Sequence, residues 1–220
     1  MASEYEFNYN RKIKSKKGFS YKIWLPLAHF VISLQYKRIE IHGRENIPKE
    51  GGFIMSPNHI SNFDAITIGA NGVRDLHFMT KIEHFKHWYT RYIISFFNGF
   101  PIKRGAADRS ALEYAFRIVK EGHILCIFPE GTRSKNFERP EKGKSGVAMI
   151  ARQAQADVMP VSIHRIGTSS KRPKLVIRFG EIIKYEDLGF TEAGSHSELR
   201  TSTKLIMERI GELWDKDDVK

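Results

Sequence analysis

The chain has 220 residues, 41% hydrophobic and 28% charged, which suits one soluble or surface-bound α/β domain with a core of its own. Its formal net charge of +11 implies an anionic partner, whether phosphate groups, nucleic acid or an acidic membrane surface, and charge alone does not choose among them. The single cysteine, Cys126, excludes an intrachain disulfide; its apolar setting "HILCIF" marks a buried core residue.

In chain order, the polar N-terminus carries Arg11, Lys12, Lys14, Lys16 and Lys17. An apolar stretch from Trp24 to Leu34 follows, interrupted by Pro26 and His29. It is shorter than the about 20 apolar residues that a membrane-spanning helix needs. Basic residues ahead of an amphipathic aromatic and aliphatic helix fit a segment lying in the membrane interface. They equally fit an N-terminal helix packed on the domain. Residues 1–36 are therefore read as a basic segment with an interfacial helix, and residues 37–220, which no linker or repeat divides, as one domain. "YKRIEIHG", "GGFIMS", "LHFMT", "GFPIKR", "HILCIFP", "VMPVSI" and "KLVIRFGEI" read as strands. "DAITIGA", "HWYTRYIISFFN", "DRSALEYAFRIVKEG", "SGVAMIARQAQA" and "SELRTSTKLIMERIGELW" read as helices. In the third of these, Leu112, Ala115, Phe116 and Val119 form the apolar stripe. Leu199, Ile206, Ile210 and Leu213 form that of the last helix. The alternation predicts an α/β fold: a mixed, largely parallel central sheet flanked by helices, with chemistry in the loops at its carboxyl edge.

"PNHISNFDAI" sets His59 five residues ahead of Asp64. A neutral imidazole can take a proton from a hydroxyl, and a carboxylate on its other nitrogen fixes the tautomer. The same stretch also matches an S-x-x-D helix cap, with Ser61 at the cap and Asp64 in the first turn. No G-x-S-x-G elbow exists, so a base at His59 would act on a hydroxyl brought by the substrate. "FPEGTRS" ends a buried strand. Its Gly131 gives backbone freedom, Thr132 and Arg133 can hold an oxyanion, and Glu130 can accept from a hydroxyl or orient Arg133. A polar β-turn reads the same way. Lys103 and Arg104 end another strand and can converge on the same phosphate, or form a solvated basic edge. "GKS" at 143–145 lacks the earlier glycine of a nucleotide-binding loop, and His84 and His87 lack further metal ligands.

Together these motifs resemble the glycerolipid acyltransferases, the 1-acylglycerol-3-phosphate acyltransferase family. "NHISNFD", "GFPIKR", "FPEGTRS" and "VMPVSI" stand in the order of its four motifs, and the resemblance spans about residues 40 to 165. It implies that His59 is the general base and Asp64 its orienter. It also implies that Arg104, Glu130 and Gly131, with Thr132 and Arg133 beside them, bind the acceptor. Lys144 would lie near phosphate or donor, and Pro160 would shape the acyl-donor side. Position 103 is Lys where members often carry Asp, which keeps glycerol-3-phosphate or another lysolipid open as acceptor. The family implies no metal or other cofactor, an acyl-CoA or acyl carrier protein thioester as co-substrate, a lysophospholipid acceptor, and an anionic membrane surface as partner. The expected place is the cytoplasmic face of a membrane, peripheral or monotopic. The competing class is a non-catalytic basic membrane-binding protein. Nucleic acid is not expected, because the basic residues are not striped with aromatics.

Overall fold

Every strand and helix expected from the pattern forms. The strands are β1 (Arg38–His42), β2 (Phe53–Pro57), β3 (Leu76–Lys81), β4 (Gly99–Ile102), β5 (Ile124–Cys126), β6 (Val158–Ile166) and β7 (Lys174–Phe179). The helices are α1 (Phe19–Gln35), α2 (Asp64–Asn71), α3 (Trp88–Phe96), α4 (Arg109–Lys120), α5 (Gly146–Ala154) and α6 (His196–Trp214). The computed structural model describes residues 5–13, 19–72, 74–103, 108–134, 139–140, 142–167, 171–192 and 194–216, with side chains from residue 25 onward in α1.

One seven-stranded sheet has the order β1-β7-β6-β2-β5-β3-β4. β6, β2, β5, β3 and β4 run parallel, because helices return the chain between them. Only residues 167–173 separate β6 from β7, too few for a crossover, so the two pair antiparallel, and β1 pairs parallel with β7. The sheet is mixed but largely parallel, as the alternation predicts.

The connections decide where a cleft can open. α2 carries the chain from β2 past β5 to β3, while α5 carries it from β5 past β2 to β6. Right-handed crossovers in opposite directions lie on opposite faces of the sheet. Packing agrees: Ile68 of α2 joins Phe53, Met55, Ile124 and Cys126, whereas Val147 and Ile150 of α5 join Ile54, Leu125 and Val158. The loops leaving the neighbouring strands β2 and β5 therefore diverge, which is the geometry of a ligand crevice in an α/β sheet.

α4 shows how local chemistry sets an element. The Asp108 side chain accepts from the Ala111 N–H at 3.2 Å and caps the helix. Its buried stripe is Ala111, Tyr114, Ala115, Ile118 and Val119, so the face is rotated from the one the sequence suggests, and Leu112 and Phe116 are only partly covered. The rotation comes from Tyr114, whose ring packs edge-on against Phe7 and Phe100. The α6 stripe of Leu199, Ile206, Ile210 and Leu213 is buried as expected.

The N-terminus joins both faces. Residues 5–13, in the segment the sequence sets apart from the domain, place Phe7 and Ile13 in the core beside Phe85, Phe100 and Tyr114. The Tyr9 hydroxyl donates to Pro101 O at 3.0 Å. α1 runs through Pro26, buries Ala28 and Ile32, and leaves Leu27, Phe30 and Leu34 exposed. Among the described residues no helix is long and apolar enough to cross a membrane.

Candidate active site

β2 ends in the sequence Ser56-Pro57-Asn58-His59, and its last turns are pinned from the side. Asn58 is 1% exposed. Its Nδ2 donates to Ile163 O at 3.0 Å and its Oδ1 accepts from Ile163 N at 2.6 Å. A side chain thus continues the β2–β6 ladder beyond the strand, fixing where the next residue points. That residue is His59, four-fifths buried at its side chain.

Asp64 opens α2 and is 1% exposed. Its Oδ2 accepts from His59 Nδ1 at 2.8 Å, from Ile60 N at 2.7 Å and from Ser61 N at 2.8 Å. Two backbone donors hold the carboxylate, and the carboxylate holds the imidazole. This fixes the tautomer with the proton on Nδ1 and leaves Nε2 able to accept one. The S-x-x-D alternative is realised differently from its usual form. Ser61 is not the cap: Phe63 is, without a side-chain cap bond, and Ser61 Oγ accepts from Phe63 N at 3.2 Å. The aspartate in the first helical turn reaches back over the loop, so helix start and dyad are one arrangement.

The loop after β5 meets this one. The Phe128 ring stacks on His59 with centroids 4.0 Å apart. Ser134 N donates to His59 O at 2.8 Å, and His59 N donates to Glu130 Oε1 at 3.4 Å. A turn closes from Gly131 N to Phe128 O at 3.1 Å, and Lys144 N donates to Pro129 O at 2.7 Å. Gly131 has φ +70, and a Cβ there would lie 3.0 Å from Lys144 Cδ and 3.3 Å from its Nζ. Glycine both permits the turn and makes room for the ammonium arm to cross it.

Burial pushes the Glu130 carboxyl up to about 7; the nearby Asp64 charge adds to this, and the His59 N–H opposes it. Two carboxyl groups in one cleft thus differ: Asp64, wholly buried, takes three donors on one oxygen, whereas half-buried Glu130 meets the His59 N–H at 3.4 Å and keeps its proton to higher pH. Tyr36, just past α1, also faces the catalytic loop. Burial and then the Asp64 charge raise its pKa, and the nearby Ser61 side chain opposes them.

His59, Asp64, Glu130, Gly131 and Lys144 are therefore brought together. Thr132 and Arg133 continue the same turn and are exposed. Lys103 is exposed at the end of β4, and its N–H donates to Asp108 at 2.9 Å. Arg104 lies outside the described residues. Pro160 stands mid-strand beside Ser56. It lines a cavity of about 680 Å3 under α6 with Phe179, Leu205 and Leu213, apart from His59. Among the described residues no cluster of three or more His, Cys, Asp or Glu could hold a metal ion. Asn58, Phe128 and Tyr36 are the residues that sequence reasoning missed. Asn58 and Phe128 flank singled-out motif residues, while nothing in the sequence links Tyr36 to Ser61.

Comparison with known proteins gives concordant matches. The family model described as Acyltransferase matches residues 38–164. The chain is 28% identical to the 1-acyl-sn-glycerol-3-phosphate acyltransferase of Bacillus subtilis over 204 residues, which are 90% of this chain and 98% of that one. It is 28% identical to the enzyme of that name from Streptococcus pneumoniae, over 67% of this chain and 56% of the relative. The crystal structure of the 1-acyl-sn-glycerophosphate (LPA) acyltransferase PlsC from Thermotoga maritima superposes with a TM-score of 0.68 at 28% identity. That match covers 90% of this chain and 81% of the other.

Proposed function

The chain belongs to the acyltransferase family, and from that premise we propose that it transfers a fatty acyl group from an acyl thioester to the sn-2 hydroxyl of 1-acylglycerol-3-phosphate, giving phosphatidic acid. The observation that carries this reading is the His59–Asp64 contact of 2.8 Å set against the turn bearing Glu130 and Lys144. The named relatives supply the acceptor.

In the proposed reaction, His59 Nε2 takes the proton of the acceptor hydroxyl as its oxygen attacks the thioester carbonyl. Asp64 bears the imidazolium that forms. The new C–O bond replaces the C–S bond when the tetrahedral intermediate collapses, and His59 returns the proton to the departing thiolate. No acyl-enzyme is formed, since the substrate supplies the nucleophile. Arg104, Arg133 and Lys144 bind the acceptor phosphate and orient the hydroxyl, with Lys103 adding charge at the rim. Glu130, Gly131 and Thr132 hold the glycerol portion, and Pro160 acts on the acyl-donor side through β6. The donor is acyl-CoA or acyl carrier protein, no further cofactor takes part, and the site of action is the cytoplasmic face of a membrane.

Two substitutions test the reading in an acyl-transfer assay with lysophosphatidate. His59→Ala should lower kcat by about 100-fold or more while acceptor binding persists. Wild-type turnover in this variant would remove the base. Lys144→Ala should raise the acceptor KM by about tenfold, the effect of one charge-assisted contact; an unchanged KM takes Lys144 out of the phosphate site.

A further inference from the structure

All the large hydrophobic side chains that stand exposed among the described residues lie on two helices, α1 and α3. On α1 they are Leu27, Phe30 and Leu34, the latter two each 60% exposed. On α3 they are Trp88, Tyr89, Tyr92 and Ile93, and Trp88 reaches 74%. α1 packs on the face that carries α2, whereas α3 sits at the β4 edge of the sheet, with Ile94 against the cluster of Phe85, Phe100 and Tyr114. A Cβ on Gly99 of β4 would fall 2.3 Å from Ile94 Cγ2, which seats α3 over β4. α1 packs on α2 through the cluster that holds Ile32 and Ile68. Asp64 opens α2, the helix on which α1 packs.

We propose that α3 is a second membrane-contacting element, which with α1 lays the edge carrying His59 on an anionic phospholipid surface. This rests on the acceptor being a membrane lipid, as inferred above. Three observations select a bilayer as the occupant. Trp and Tyr suit the headgroup level, where an apolar ring and a polar tip are both satisfied. The charge is complementary: α3 has no carboxylate and carries Arg91, and the segments before it and after β4 add Lys81, Lys86 and Lys103 against Glu83 and Asp108. Lys81 and Lys103 close β3 and β4 at the same edge as His59. Third, the α3 patch is small. Four such side chains, partly exposed, offer roughly 400 Å2, half of the ~800 Å2 per partner that a stable protein interface uses. A bilayer sets no such minimum, since two separate helices add their contributions to one surface.

The test is co-flotation with vesicles of phosphatidylcholine and phosphatidylglycerol, without substrate. Its result does not depend on acyl transfer, and the His59→Ala assay does not depend on flotation, so the two readings fail separately. Trp88→Ser with Tyr92→Ser should lower the partition coefficient about tenfold, with melting temperature unchanged because both side chains are exposed. Leu27→Ser with Phe30→Ser should do the same from the other arm. In the Trp24→Phe protein, brominated phosphatidylcholine should quench the emission of Trp88, since Trp214 is buried. Wild-type partitioning by the α3 variant overturns the proposal, as does an unquenched Trp88. So does a dimer that the α3 substitutions convert to monomer without changing flotation, since the face then serves a second copy.

Discussion

Asp64 illustrates how one atom can carry several duties. Its Oδ2 takes three donors, two of them backbone N–H groups of the loop it must hold. Asp64→Asn keeps the size but offers only a neutral acceptor to the imidazolium. It should lower kcat by about 100-fold or more, with little change in acceptor KM, in steady-state assays. Glu130 gives a prediction on stability. Its carboxyl rises from the usual 4.5 to about 7 through burial, so the folded chain keeps a proton that the unfolded chain has lost. The corresponding stabilisation is complete below pH 4.5 and is lost as pH rises to about 7. Glu130→Gln should therefore gain melting temperature relative to the wild type across that interval, read by thermal scans in matched buffers. The dyad was legible in the sequence because its two members are five residues apart and one turn joins them. The stacked Phe128 and the Tyr36 contact were not, since both depend on which strands become neighbours.

At the level of elements, strands and helices were legible throughout, because alternating and 3.6-residue patterns are local properties. What a pattern leaves open is rotation and partner. The α4 stripe shows the first, turned until Tyr114 could meet Phe7 and Phe100. Asn58 shows the second, bound to Ile163 across 105 residues of chain. Its polar side chain signals a loop, yet it acts as one more rung between β2 and β6. Asn58→Ala leaves the Ile163 N–H and C=O buried without these partners, which costs about 3 kcal/mol. Urea unfolding should show that loss, and kcat should fall too, because His59 is the next residue.

At the scale of the whole molecule, the order of strands makes the site. β2 and β5 became neighbours although α2 and the entire β3–β4 unit separate them in sequence. Only that adjacency brings "NHISNFD" and "FPEGTRS" to one crevice. Sequence reasoning reached the same pairing through family resemblance, not through topology. The N-terminus is also a whole-molecule matter. Phe7 and Ile13 fill the face opposite α1, so Phe7→Ala should cost about 3 kcal/mol in chemical denaturation. Membrane contact is thus best probed by point changes on α1 and α3, since deleting residues 1–36 would open the core. The same depth gives Cys126 a use. It is the only thiol, 1% exposed at the end of the interior strand β5, and burial raises its pKa far above the ordinary range. An alkylating reagent can reach it only when β5 leaves its neighbours. The labelling rate therefore clocks the opening of the strands that carry both motifs, and a bound acceptor that bridges the two loops should slow that clock.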